Sequence, residues 1–111
     1  MAEKAEPVNV TDATFEAEVI GSQGPVVVEF WSPECVHCQH MTGIVASLAK
    51  EMDGKAKVAK VNILENPVTP RRYEVTGIPR FFLINKGHVA SDALGAMSKG
   101  KLKKELGLDK L

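Results

Sequence analysis

The sequence is short of several things at once. It has two cysteines, Cys35 and Cys38, which excludes a disulfide-dense secreted scaffold. No apolar run approaches the ~18 residues that a membrane-crossing helix needs, so no membrane association is expected. Neither sign of charge is in excess, because 14 Lys plus Arg meet 14 Asp plus Glu. Nothing therefore marks a nucleic-acid binder, whose affinity rests on phosphate neutralisation. Six Pro and nine Gly are too few for a collagen-like or low-complexity chain. What remains is ordinary globular composition: 44% apolar and 25% charged over 111 residues. That length fits one compact domain.

The first residues, Met-Ala-Glu-Lys-Ala-Glu-Pro, lack the apolar stretch of about 7–15 residues that a signal peptide needs. A flexible leader over residues 1–7 and a single domain over 8–111 are expected, in the cytoplasm and as a monomer. An already trimmed exported chain stays open as an alternative. In a reducing compartment a cysteine pair is more often catalytic or metal-binding than structural.

Hydrophobic periodicity gives the element order. Val8 to Val10 reads as a short extended piece. Thr11 or Asp12 is placed to cap a helix running to about Val19, with Phe15 and Val19 facing inward. Val26-Val27-Val28-Glu29-Phe30-Trp31 is apolar on both faces, as a central strand covered on both sides is. Met41, Ile44, Val45, Leu48, Ala49 and Met52 fall at helical spacing. Lys57 to Leu64 reads as a second buried strand, and Asn66 to Tyr73 as a short helix opened by Pro67. Arg80 to Ile84 and His88 to Leu94 flank the turn signal Asn85-Lys86-Gly87 and form a hairpin. Ser98 caps a last helix, with Met97 and Leu102 at the positions of a hydrophobic staple. The order β-α-β-α-β-α-β-β-α predicts an α/β fold with a mixed central sheet and helices on both faces. His40 and His88 are expected in solvent, and Met41 and Met52 in the core.

The chemistry concentrates in Glu34-Cys35-Val36-His37-Cys38. Cys35 lies between a buried strand and the start of an amphipathic helix, where free N–H groups and the helix dipole favour an anion. A thiolate, the form that attacks disulfides, is stabilised there. Cys38, one turn deeper, can close a disulfide with it, giving an exposed attacker and a shielded resolver. Two other readings stand beside this one. The pair could be structural, or Cys35, His37, Cys38 and His40 could ligate a metal. Four ligands within six residues make poor tetrahedral geometry, however. Haem attachment needs His after the second cysteine, and Gln39 stands there.

With Val-Val-Val-Glu-Phe-Trp before Cys-x-x-Cys, then Val-Ala-Lys-Val-Asn-Ile, Glu-Asn-Pro, Gly-Ile-Pro and Gly-Ala-Met-Ser-Lys-Gly-Lys-Leu in order, the chain resembles the thioredoxin family from about Val8 to its end. The resemblance implies the thioredoxin fold, a five-stranded mixed sheet flanked by four helices. It implies protein-disulfide reduction with no bound cofactor. Electrons would pass from NADPH, through a thioredoxin reductase-like flavoprotein, to the Cys35–Cys38 disulfide and on to disulfide-containing protein substrates. Cys35 takes the place of the nucleophile and Cys38 that of the resolving thiol. Glu29 takes the place of the family's buried Asp and Lys60 that of its companion lysine. Trp31, Ile78, Pro79 and Gly95 match substrate-holding positions, Pro79 that of a cis-proline. A Glu at position 29 is also long enough to reach solvent from the strand end, which is the competing reading for that residue.

Three departures from the family pattern concern redox tuning. His37 replaces the intervening proline; an imidazole there stabilises the Cys35 thiolate and makes the disulfide more oxidising. Glu34 replaces the Trp before the nucleophile and opposes thiolate formation. Arg80 replaces a small residue after Pro79 and, if that loop faces the cysteines, could offset Glu34 or attract acidic substrates. Each of the three has a plainer reading as a solvated surface group. Elsewhere, Gly43 stands where a kinking proline is usual and Leu64 where an acidic residue is usual. Oxidase- or isomerase-like exchange with a restricted partner, and a non-catalytic metal- or thiol-binding module, are the alternatives at the level of the whole protein.

Overall fold

The computed structural model describes residues 5–111. Of the expected leader, residues 1–4 lie outside the described residues, and Ala5 to Pro7 carry no regular secondary structure. Five strands, β1 (Val8–Asn9), β2 (Val26–Trp31), β3 (Lys57–Asn62), β4 (Arg80–Asn85) and β5 (His88–Leu94), form one sheet in the order β1-β3-β2-β4-β5. The doubly apolar run of Val26 to Trp31 occupies the centre, parallel to β3 and antiparallel to β4. Four helical segments cover the sheet: a π-type turn (Glu16–Ile20), α1 (Val36–Glu51), α2 (Val68–Arg72) and α3 (Lys99–Leu106). A 3-10 turn, Leu108–Lys110, follows.

The two faces of β2 feed two apolar layers, because successive side chains point to opposite sides. Val27 packs with Met41, Val45 and Leu48 of α1 and with Leu102 and Leu106 of α3. Val26, Val28 and Phe30 pack on the other face with Phe15, Val19 and Phe82. Glu29 has the parity of Val27 and so faces the α1 side. Ser98 caps α3, its Oγ accepting from Lys101 N–H at 3.1 Å, and Leu102 is fully buried beside Met97. Among the described residues no helix is long and apolar enough to cross a membrane.

The structure departs from sequence expectation at three places. Only Glu16–Ile20 is regular in the first helix, closed by Gly21 N–H on Glu16 O at 2.8 Å. Of the two expected caps, Thr11 fills the role, its Oγ1 accepting from Thr14 N–H at 3.2 Å, and Asp12 does not. Its carboxylate instead accepts from Val68 N–H at 3.0 Å, Thr69 N–H at 2.8 Å and Thr69 Oγ1 at 2.6 Å, so it caps α2 across the fold. Strand β3 ends at Asn62 rather than Leu64, because the Asn62 side chain accepts from Leu64 N–H at 3.0 Å and turns the chain. The third place is in the hairpin. Lys86 and Gly87, both at positive φ (52° and 81°), make its two-residue turn. A bulge then follows: Ile84 pairs with Val89 but Leu83 with Ser91, which leaves Ala90 as the extra residue.

Candidate active site

Strand β2 delivers its C-terminal end into a short turn, and the turn delivers Cys35 to the N-cap of α1. Three hydrogen bonds fix that turn. Cys35 N–H donates to Ser32 O at 3.1 Å, Glu34 N–H donates to Ser32 Oγ at 3.1 Å, and the Gln39 side chain donates to Pro33 O at 3.0 Å. Ser32 and Gln39 were not singled out by sequence reasoning. The Ser-Pro-Glu sequence carries a signal for the first of them, since a serine hydroxyl often accepts from the N–H two residues on.

Cys35 has extended backbone (φ −94°, ψ 114°), and its Sγ accepts from Cys38 N–H at 3.2 Å. A free N–H at a helix N-terminus is thus aimed at the sulfur, which favours the charged thiolate. Cys35 is half-buried and Cys38 is buried. Burial pushes the Cys38 thiol up to about 12, and the hydrogen bond to Cys35 adds to it. One thiol is reachable and the other is held protonated directly behind it. Two thiols so placed can exchange with a disulfide and close one of their own.

Beneath them, Glu29 is 1% exposed. Burial raises its carboxyl from 4.5 to about 7, against the opposing charge of Lys60. Glu29 and Lys60 are direct partners in the β2–β3 register, with Lys60 Nζ 4.0 Å from Glu29 Oε1. The same Nζ lies 4.5 Å over the Trp31 ring. Glu29 Oε1 and Trp31 Nε1 are buried with no hydrogen-bond partner. Glu29 does not reach solvent, so the competing reading for it falls. Its negative charge would also disfavour ionisation of Cys38, which places the carboxylate and the buried thiol in one electrostatic unit.

The Ile78–Pro79 loop closes over the pair. Its peptide bond is cis, and Ile78 O lies 4.0 Å from Cys35 Sγ. Gly95 N–H donates to Pro79 O at 2.8 Å, from a residue at φ 97° that suits glycine. Cys35, Cys38, Ile78, Pro79 and Gly95 are therefore assembled in one place, with Glu29 and Lys60 below and the partly exposed Trp31 ring against Lys60.

The three tuning positions separate. His37 is exposed on the first turn of α1, its ring centroid 6.5 Å from that of His40. Glu34 is exposed and belongs to no ion pair among the described residues. Arg80 does not meet Glu34. It donates to Asp92 Oδ2 at 2.6 Å and Ala93 O at 2.9 Å, and lies 4.6 Å over the Phe82 ring. Phe82 belongs to the apolar layer on the side of the sheet opposite α1, so the expected offset of Glu34 by Arg80 is replaced by an Arg80–Asp92 pair. No group of three or more His, Cys, Asp or Glu side chains among the described residues is placed to hold a metal ion. A cleft of about 420 Å³, lined in part by Pro25, Asp53, Lys55 and Lys57, lies at the opposite end of the strands from the thiols.

A shielded thiol behind a helix-capping one, on this sheet, defines a dithiol–disulfide exchange protein. Comparison with known proteins agrees. The thioredoxin family model matches residues 6–107. The thioredoxin of Pseudomonas aeruginosa is 43% identical over 95 residues, 86% of this chain and 88% of its own. That of Rhodospirillum rubrum is 42% identical over 93 residues, covering 84% and 89%. That of Haemophilus influenzae is 36% identical over 98 residues, covering 88% and 92%. The chain belongs to the thioredoxin family and is a thiol–disulfide oxidoreductase of the protein-disulfide reductase kind.

Proposed function

We propose that the protein reduces protein disulfides with Cys35 attacking and Cys38 resolving. The observation that carries this is the Cys38 N–H aimed at Cys35 Sγ from the cap of α1, with Cys38 itself buried. The Cys35 thiolate attacks one sulfur of the partner's disulfide, and the other sulfur leaves as a thiol. A mixed disulfide results. Cys38 then loses its proton and attacks Cys35 Sγ, releasing the second partner thiol and closing Cys35–Cys38. Burial makes that proton hard to remove, and the Glu29 carboxylate below is the acceptor, with Lys60 holding it in range. Trp31, Ile78, Pro79 and Gly95 form the surface against which the partner's backbone lies. His37 favours the Cys35 thiolate and makes the disulfide more oxidising than that of a thioredoxin with proline there. An NADPH-dependent flavoprotein returns the two electrons, and the setting is the cytoplasm, with the chain acting as one monomeric domain.

The test is trapping. Cys38→Ser, incubated with a disulfide-bonded protein such as insulin, should accumulate a covalent mixed disulfide visible by mass, and Cys35→Ser should accumulate none. A mixed disulfide formed by the Cys35→Ser variant instead would reverse the two roles.

A further inference from the structure

The residue next to Cys35 in the chain, Glu34, carries an exposed carboxylate with no ion-pair partner among the described residues. The turn that carries it is held by the Ser32 Oγ, Ser32 O and Pro33 O hydrogen bonds, so the charge has a fixed origin next to the sulfur. Four of the chain's cations are engaged elsewhere. Arg80 is committed to Asp92 on the other face of the sheet. The Lys60 side chain is only 14% exposed and faces Glu29. Lys99 and Lys103 are both tied to Glu51. His37 and His40 bring imidazoles rather than permanent charges. Beside Glu34, on the first turn of α1, Val36 presents an exposed apolar side chain, 58% exposed.

Resting on the reductase reading above, we propose that the rim beside Cys35 selects disulfide partners carrying Lys or Arg beside the cystine, with Glu34 as the specificity-determining residue. A cation there meets an unopposed carboxylate at a partly desolvated contact, and an acidic residue meets like charge. The exposed Val36 side chain gives the partner's flanking residue apolar surface to cover, which lowers the local dielectric around the pair. The exchange itself is unchanged: two thiols of this protein become a disulfide while the partner's disulfide becomes two thiols.

The experiment uses the full, pre-reduced chain in single turnover against two cystine peptides that differ only in a flanking Lys or Glu, with neutral hydroxyethyl disulfide alongside. At low salt the Lys peptide is expected to react about tenfold faster than the Glu peptide, falling below about twofold at 0.5 M salt. Glu34→Gln should slow the Lys peptide and speed the Glu peptide, and Glu34→Lys should invert the order. Movements in opposite directions distinguish docking from a change in Cys35 reactivity, which scales both peptides alike. Equal rates for the two peptides, or a ratio that Glu34→Gln leaves in place, overturns the selectivity while reduction of hydroxyethyl disulfide keeps the reductase reading. Failure to reduce any of the three overturns both.

Discussion

Arg80 and Asp92 are diagonal neighbours on one face of the β4–β5 hairpin, joined Nη2 to Oδ2 at 2.6 Å. Diagonal partners lie within reach of a long side chain, and stacking over Phe82 leaves the guanidinium little freedom. The pair fastens the first residue of β4 to the outer strand, next to the Pro79 carbonyl that Gly95 holds. Because Asp92 is 52% exposed, the coupling is expected at about 1 kcal/mol rather than several. A double-mutant cycle of Arg80→Met and Asp92→Asn in urea unfolding should give that value at low salt and less at 0.5 M. Additive single-variant losses would show that the pair contributes nothing.

Glu29 makes a second prediction, in pH. Its folded carboxyl titrates at about 7 and its unfolded one near 4.5. Below that window both states hold the proton. Within it only the folded state does, so stability falls as pH rises from about 4.5 to about 7 and levels off above. The group is almost fully buried, and the loss is on the order of 3 kcal/mol. In Glu29→Gln the fall is absent, and the variant should be more stable than the parent at pH 8. Parallel stability profiles for the two proteins would mean the carboxyl is not desolvated. The same substitution should remove the limb with apparent pKa near 7 from the Cys38 attack rate.

How much of this was legible in the sequence follows from how local each signal is. Strand β2 and helix α1 announce themselves by a doubly apolar run and a 3.6-residue period, and the thiols sit at their junction. The mixed sheet follows from the alternation of elements. The Arg80–Asp92 pairing was not legible in the sequence, for a definite reason. The extra residue Ala90 shifts the β4–β5 register by one after Ile84, and a one-residue shift exchanges the faces of the rest of the strand. Without the bulge Asp92 would not share a face with Arg80, and nothing in Val-Ala-Ser-Asp announces it. The role of Asp12 was hidden for a related reason. Asx residues before a helix read as its own cap, whereas this one serves a helix starting 56 residues later.

That long-range cap gives a third prediction. Burial pulls the Asp12 carboxyl upward, but hydrogen bonds from Thr69 and Val68 outweigh it and hold it below its ordinary value. Stability from such a group is present above the unfolded carboxyl range and is lost as pH falls through the lowered value. Asp12→Ala is expected to cost about 1–2 kcal/mol at pH 7 and progressively less under acid conditions. Urea midpoints for both proteins, taken at pH 7 and at pH 3, measure this. An equal deficit at the two pH values would assign the effect to packing rather than to the charged cap.

The fourth prediction concerns His37. It sits exposed on the first turn of α1, two residues after Cys35, where the helix already presents the Cys38 N–H to the sulfur. On the function proposed above, the imidazole would add to that stabilisation of the thiolate, and whatever stabilises the reduced form raises the potential. His37→Pro should therefore make the centre more reducing by on the order of 30 mV, a tenfold shift in its equilibrium with glutathione. His37→Gln, which keeps a polar side chain but not the charge, should fall between. Identical potentials for all three proteins would leave His37 a surface residue and return the centre to the helix terminus alone.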